Sequence, residues 1–337
     1  MSREQIDRIG RFLVRHQAIF WTLHSLWALG WGIGFIVAGS KHTWLLRYGL
    51  ASVGLVWATS LLLPVLLRSP LISEERKEPA RRLVLWTQKW QLQGLAFFIL
   101  PVYHRSATYP SRNTLFMVLL VVAALAATID VVYDEYVTRQ TWLLGALLAF
   151  TAFACVNLTL PMIWHVGGLW NLAAGAFLAT SVFVSFWLRH ASERGRSLWQ
   201  VAAVGFMFLL VVTVWRPLVP PAPLRLVSTS FGISQSEDHL EVSPILVALS
   251  PAQETRVYVV AAIQAPAGLA EGVRHVWSQD GRKVSESGLI DVAGGRVQGF
   301  RSRSSAMLRG LAHGQRVRVE VSTEWGQLIG RSEIEVR

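Results

Sequence analysis

Through roughly the first two thirds of this 337-residue chain, apolar residues come in long runs divided by short polar stretches, and then the period changes. Seven runs read as helices, near 18–39, 46–67, 83–103, 113–133, 141–163, 167–188 and 198–219. Each approaches the ~20 residues that a helix needs to cross ~30 Å of hydrocarbon, so the pattern predicts an all-α membrane bundle of about seven transmembrane helices. The third run is the most polar, with Gln88, Lys89, Gln91 and Gln93 in its first half. Beyond residue 219 the spacing becomes two. Val317, Val319 and Val321 alternate with Arg316, Arg318 and Glu320, and Ile334 and Val336 alternate with Glu333 and Glu335. Such alternation marks strands with one buried face. Further strands are predicted at 224–233, 238–248, 255–264 and 295–303. Six or seven short strands divided by turns suggest an all-β immunoglobulin-like sandwich. The reading is therefore a membrane domain over 1–219, a Pro-rich spacer at 220–223 and a β-sandwich over 224–337.

Two hairpins follow from the same pattern. A tight turn centred on Trp325-Gly326 sets Arg318 opposite Glu333, Arg316 opposite Glu335 and Glu320 opposite Arg331. All three pairs are complementary, and a slip of one residue would destroy them. Asp280-Gly281 is a favoured two-residue turn, and it sets Trp277 across from Val284 and His275 across from Glu286.

Composition supports a chain partly dissolved in lipid, with 52% hydrophobic residues, 16% charged residues and 15 tryptophans. The net charge of +11 is uneven: residues 1–221 hold +10 of it and residues 222–337 only +1. The excess thus flanks the apolar runs, and the β-domain has no basic patch for phosphates, which excludes nucleic acid as a partner. With seven crossings and a cytoplasmic N-terminus, the inner flanks carry 13 Lys and Arg and the outer interhelical flanks carry 4. The positive-inside rule then puts the protein in a bacterial inner membrane with its β-domain in the periplasm. The apolar run near the N-terminus is too long for a cleavable signal peptide, and further runs follow it. One cysteine, Cys155, excludes a disulfide framework within the chain.

Candidate chemistry is sparse. His42, His104 and His165 fall at one predicted membrane face, where imidazoles can hold a metal or are simply half-solvated. No metal or other cofactor is predicted. In the first run, Trp21, His24, Trp31 and Phe35 share a face, and Gly30 and Gly34 stand four apart, a spacing for close helix approach. Lys89 and Asp130 are ionisable groups inside apolar runs, read as interfacial anchors or as part of a proton or substrate path. Pro161 and Val166-Gly167-Gly168 mark either a tight turn or a helix break lining a cavity. In the β-domain, His275, Trp277 and Glu286 would share a sheet face as a binding patch, or Trp277 would be the central aromatic of the core. Ser302, Ser304 and Ser305 lack the sharp-turn motif of a nucleophilic serine.

The run Val273-Arg274-His275-Val276-Trp277, then Asp280-Gly281-Arg282, then Gly299-Phe300-Arg301-Ser302-Arg303-Ser304 resembles a small bacterial C-terminal domain of unknown function. Joined to a multi-pass N-terminal half, it is similar to an uncharacterised proteobacterial membrane protein family. That resemblance implies architecture and transfers no catalytic residue. The expectation is a non-enzymatic accessory or scaffolding factor whose sandwich binds another envelope protein. The alternative is a membrane-embedded enzyme or carrier for a lipid-linked or small apolar molecule.

Overall fold

The structure is a computed structural model that describes residues 26–34, 37, 48, 51–55, 58, 73–190, 206–207, 209–236 and 241–337. The predicted runs 18–39, 46–67 and 198–219 lie partly outside the described residues, and His42, Trp21 and His24 lie wholly outside them. The long helices are α1 (Glu74–Ser106), α2 (Asn113–Thr128), α3 (Thr141–Trp164) and α4 (Gly168–His190). A π-helix at Val132–Val137 stands between α2 and α3.

These helices do not form a seven-span membrane bundle. Among the described residues one helix, Trp142–Trp164, is long and apolar enough to cross a membrane, and 72% of its apolar window is buried inside the protein. Asn113–Thr128 and Gly168–Val184 are apolar but shorter. The third predicted run is the second part of α1, whose first part carries Glu74, Glu75, Arg76, Lys77 and Glu78. The physical reason for the correction is that apolar side chains report apolar surroundings, and neighbouring helices supply these as well as lipid does. The sidedness drawn from loop charge presupposed seven crossings, and one such helix does not fix a side.

The chain forms two compact units. The first comprises Met1–Pro101, Leu120–Cys155 and Leu178–Leu198. In it Ala96, Phe97 and Ala124 pack together against Leu29. The close approach there is made at Gly32, where an added Cβ would lie 2.7 Å from the Phe97 ring, whereas Gly30 and Gly34 have open space around them.

The second unit comprises Val102–Leu119, Val156–Phe177 and Trp199–Arg337. Its β-region has ten strands among the described residues: β1 (Arg225–Gly232), β2 (Ser234–Ser236), β3 (Glu241–Ser243), β4 (Ala252–Gln264), β5 (Ala270–Gln279), β6 (Arg282–Glu286), β7 (Ile290–Ala293), β8 (Phe300–Leu311), β9 (Arg316–Thr323) and β10 (Leu328–Glu335). They make an antiparallel sheet of order β1-β4-β8, a second of order β10-β9-β5-β6 with β7 beside β5, and a small β2-β3 ribbon. The two larger sheets share a core, in which Val257 and Leu308 meet Trp277, Val317 and Val319. The extra strands are β2 and β7, too short for alternation to reveal, and of the strand expected at 238–248 only β3 forms, at Glu241–Ser243. The strand expected at 295–303 starts instead at Phe300, because Gly295 and Gly299 adopt positive φ before it.

The β9–β10 register is the one the charge pattern requires. Arg318 stands opposite Glu333, Glu320 opposite Arg331 and Arg316 opposite Glu335. The first two pairs form ion pairs at 2.6 and 2.7 Å, while the Glu335 carboxylate bonds Arg337. The β5–β6 hairpin turns at Asp280 and Gly281, with φ of 48° and 79°. Its register shifts between Trp277 and Ser278, so Trp277 faces Ser285 and Glu286 faces Val276. The expected pairings of Trp277 with Val284 and His275 with Glu286 fail for that reason, since one bulged residue turns everything beyond it to the other face.

Candidate functional site

Alternation along β5 turns Glu271, Val273, His275 and Trp277 inward. His275 and Trp277 are fully buried, so the structure places both in the core. Glu286 lies on the outer face, bonded to Lys283 and 3.5 Å from Arg274. The three residues considered as one binding patch are thus not brought together.

What surrounds His275 instead is a closed hydrogen-bond chain between the two sheets. Ser302 Oγ donates to the Ala261 carbonyl at 3.1 Å and lies 2.9 Å from His275 Nε2. Ser304 Oγ accepts from Trp277 Nε1 at 2.9 Å and lies 2.8 Å from His275 Nδ1. Because the Ser302 hydroxyl proton is spent on Ala261, Nε2–H is the donor to Ser302 and Nδ1 accepts from Ser304. Burial pushes His275 down to about 4, so the ring is neutral at ordinary pH. Each polar atom of the imidazole has a partner, and the arrangement ties β5 to β8.

The histidines considered as metal ligands do not converge. His104 Nδ1 lies 3.2 Å from the Tyr109 hydroxyl, and the two ring centres are 5.5 Å apart with the planes tilted by 38°. His165 sits at positive φ between α3 and α4, against Gly268. Among the described residues no group of three or more His, Cys, Asp or Glu side chains is placed to hold a metal.

Between α3 and α4 the second unit carries a small polar cavity of about 20 Å³, lined by Asn157, Pro161, Gly167, Asn171, Glu271 and Thr323 among others. The Pro161 and Gly-Gly signals mark this place as a break that lines a cavity. Asn157 Nδ2 donates to Tyr103 Oη at 3.0 Å, and Asn171 Nδ2 reaches Asn157 O at 2.7 Å and Oδ1 at 3.0 Å. Glu271 enters from β5 and accepts the Gly168 backbone N–H, which belongs to the first residue of α4. A helix N-terminus favours a carboxylate there. The glycines make room: a Cβ on Gly167 would lie 2.3 Å from Glu271 Oε2, and one on Gly168 would lie 2.6 Å from Trp325 Nε1. Burial pushes the Glu271 carboxyl up to about 7 despite the Gly168 bond, and repulsion from Glu324 adds to the rise. Sequence reasoning missed Glu271, although an acid at an inward position of an alternating strand was a usable signal.

In the first unit Lys89 and Asp130 form a buried ion pair, with side chains 8% and 2% exposed. Asp134 Oδ2 is 3.8 Å from the same ammonium, which also lies 5.1 Å from the centre of the Tyr133 ring. The break in helix α2 and the π-helix after it bring Asp130, Tyr133 and Asp134 to one lysine. Burial at that depth is a different setting from an interfacial anchor.

Comparison with known proteins adds a family and little else. No curated protein matches the chain. Among solved structures, the Pseudomonas fluorescens alkylpurine DNA glycosylase AlkC bound to DNA containing an abasic site analog matches at 10% identity, over 87% of this chain and 96% of that one, with a TM-score of 0.23. A likeness that low carries no argument about fold or activity. A family of unknown function, DUF5924, matches residues 5–255. The matched region ends inside β4, so the His275-Val276-Trp277 strand and the Arg/Ser run of the sequence resemblance lie beyond it. With most of its length inside that match, the chain belongs to the DUF5924 family of unknown function.

Proposed function

We propose that this protein is a non-enzymatic accessory or scaffolding factor whose β-domain holds another protein. The observation that carries the reading is an apolar surface beside the β2-β3 ribbon. Ile245 is 70% exposed, Val247 90% and Ile233 53%. The bridge between Phe231 and Leu246 turns those two side chains toward the core, which leaves the residues flanking Leu246 pointing outward. Single exposed apolar residues are ordinary, but several on adjoining segments make the kind of patch that protein contacts use. The alternative, an enzyme or carrier for a lipid-linked or apolar molecule, gains nothing from the α3–α4 cavity. Its 20 Å³ suits a water-sized body, whereas organic ligands occupy pockets of roughly 300–1,000 Å³.

The test is a photo-crosslinking residue placed at Val247 in the full chain, in cells of its own host. A discrete adduct with a different protein is expected, and Ile245→Glu should abolish it. The same probe at Val297, another highly exposed apolar residue, should give no such adduct. Identical adducts from both positions, or an adduct with a second copy of this chain alone, would reject the reading.

A further inference from the structure

Helix α2 contains no charged residue and is apolar on both of its sides. Phe116, Met117, Leu120, Ala123, Ala124 and Ala127 make its inner side and are buried. The opposite side is where a helix that faces water carries its charges. On α2 that side consists of Leu115, Val118, Leu119, Val122 and Leu125, continued by Ile129, all of them exposed and Val122 by 55%. Spacings of three and four keep these six residues on one stripe. Exposed tyrosines stand at both ends of it, Tyr109 in the loop before α2 and Tyr136 in the π-helix after it. Exposed charges accompany them, Arg105 and Arg112 at one end and Asp134, Glu135 and Arg139 at the other. Asp130, the one charge between Arg112 and Asp134, is buried with Lys89. From Arg112 to Asp134 the chain rises about 33 Å at about 1.5 Å per helical residue, which matches the ~30 Å of a bilayer's hydrocarbon layer.

We infer that the outward stripe of α2 is covered by the acyl chains of a lipid bilayer, with Tyr109 and Tyr136 at the level of the headgroups. Packing by neighbouring helices accounts for the apolar residues of α3, most of which are buried, but not for a stripe left exposed. Tyrosine suits the two rims because its ring is apolar and its hydroxyl is wet. A second copy of the chain fits the stripe less well. Helices that pair within lipid approach through small residues, and Ala123, Ala124 and Ala127 face the interior of the protein. A docked protein would meet some polar groups among the apolar ones, and the six side chains of the stripe offer none. The inference concerns one face of one helix. It does not restore a seven-span bundle or fix a side, and it uses none of the residues of the docking surface proposed above.

The experiment attaches a bimane fluorophore to single cysteines in the full chain carrying Cys155→Ala, purified and reconstituted into phosphatidylcholine vesicles. The labelled variants are Val118→Cys, Val122→Cys, Tyr136→Cys and, on strand β6 for comparison, Val284→Cys. Phosphatidylcholine brominated deep in its acyl chains should extinguish the emission from positions 118 and 122. Lipid brominated close to the headgroup should act most strongly at position 136. Aqueous iodide should quench position 284 and leave position 122 unchanged. Two labelled positions on the stripe guard against one label disturbing the helix, and flotation shows whether each chain enters the vesicles. A wild-type chain that stays in the aqueous phase would overturn the inference. So would iodide quenching at positions 118 and 122 equal to that at 284. Emission there that neither quencher reduces would show a stripe covered by protein, and that result also overturns it.

Discussion

Individual side chains in this protein are constrained most where a charge is buried. Lys89 and Asp130 lie deep in the first unit and form an ion pair there. Removing Lys89 takes away the ammonium that balances the buried Asp130 carboxylate, so Lys89→Met should cost about 3–5 kcal/mol. Replacing both, as Lys89→Met with Asp130→Leu, should recover most of that loss, because an apolar pair of similar volume suits the same space. Denaturant unfolding of the two variants checks the claim, and a double variant no better than the single would reject the pair as the source of the cost. At the α3–α4 turn the constraint is space. A Cβ at Gly167 would overlap the Glu271 carboxylate, so Gly167→Ala should destabilise by about 1–3 kcal/mol. Adding Glu271→Ala should restore part of it, and a Gly167→Ala chain as stable as the wild type would contradict the close approach. Lys89 and Asp130 stood out in the sequence because charges are rare in apolar runs. Glu271 carried only the weaker signal of an acid at an inward strand position, and its partners come from helices far away in the chain.

Among the elements, the β9–β10 hairpin was legible apart from a register shift between Leu328 and Gly330 beside its turn, and the β5–β6 hairpin only partly so. Away from that shift the pattern carried the register, with Val317, Val319 and Ile334 inside and complementary charges across the strands outside. Arg318→Glu should therefore lose between a few tenths and about 1 kcal/mol, and adding Glu333→Arg should return part of it. Val317 is fully buried, so Val317→Asp should unfold the β-domain outright. Near-UV circular dichroism and urea titration of the full chain separate the two effects. A Val317→Asp chain with native tertiary signal would be incompatible with this core. The β5–β6 turn was equally visible in Asp280-Gly281, but the bulge after Trp277 was not. An extra residue in one strand has no composition of its own, and it shifted Glu286 away from His275 and out to the surface. The helices present the same asymmetry. Their existence followed from long apolar runs, while their lengths depended on breaks such as the one at Ile129 that opens the π-helix.

For the molecule as a whole, the two perturbed groups of β5 predict an unusual pH response. His275 titrates near 6.5 when unfolded and about 4 when native, so its contribution is complete above 6.5 and is lost as pH falls toward 4. Glu271 titrates near 4.5 when unfolded and about 7 when native, so its contribution is complete below 4.5 and is lost as pH rises toward 7, with Glu324 as its acidic neighbour. Each window is worth about 3 kcal/mol, and between 4.5 and 6.5 the two slopes oppose each other. Melting of Glu271→Gln should therefore fall with acid across that window relative to wild type, and melting of His275→Gln should fall with rising pH. Parallel curves for all three proteins would contradict both assignments. The chain alone determined that Val317, Val319, Val321 and Ile334 face inward, where the tight turns fall, and that long apolar helices precede a β-domain. These are local matters, set by periods of two and 3.6 residues and by residues that favour particular turns. Only the tertiary structure decided that α3 is wrapped largely by protein, that His275 is closed off between two serines, and that Glu271, Asn157 and Asn171 meet at one cavity. Hydropathy cannot distinguish a neighbouring helix from lipid, and no spacing along a chain records which distant residues a fold brings within 3 Å of one another.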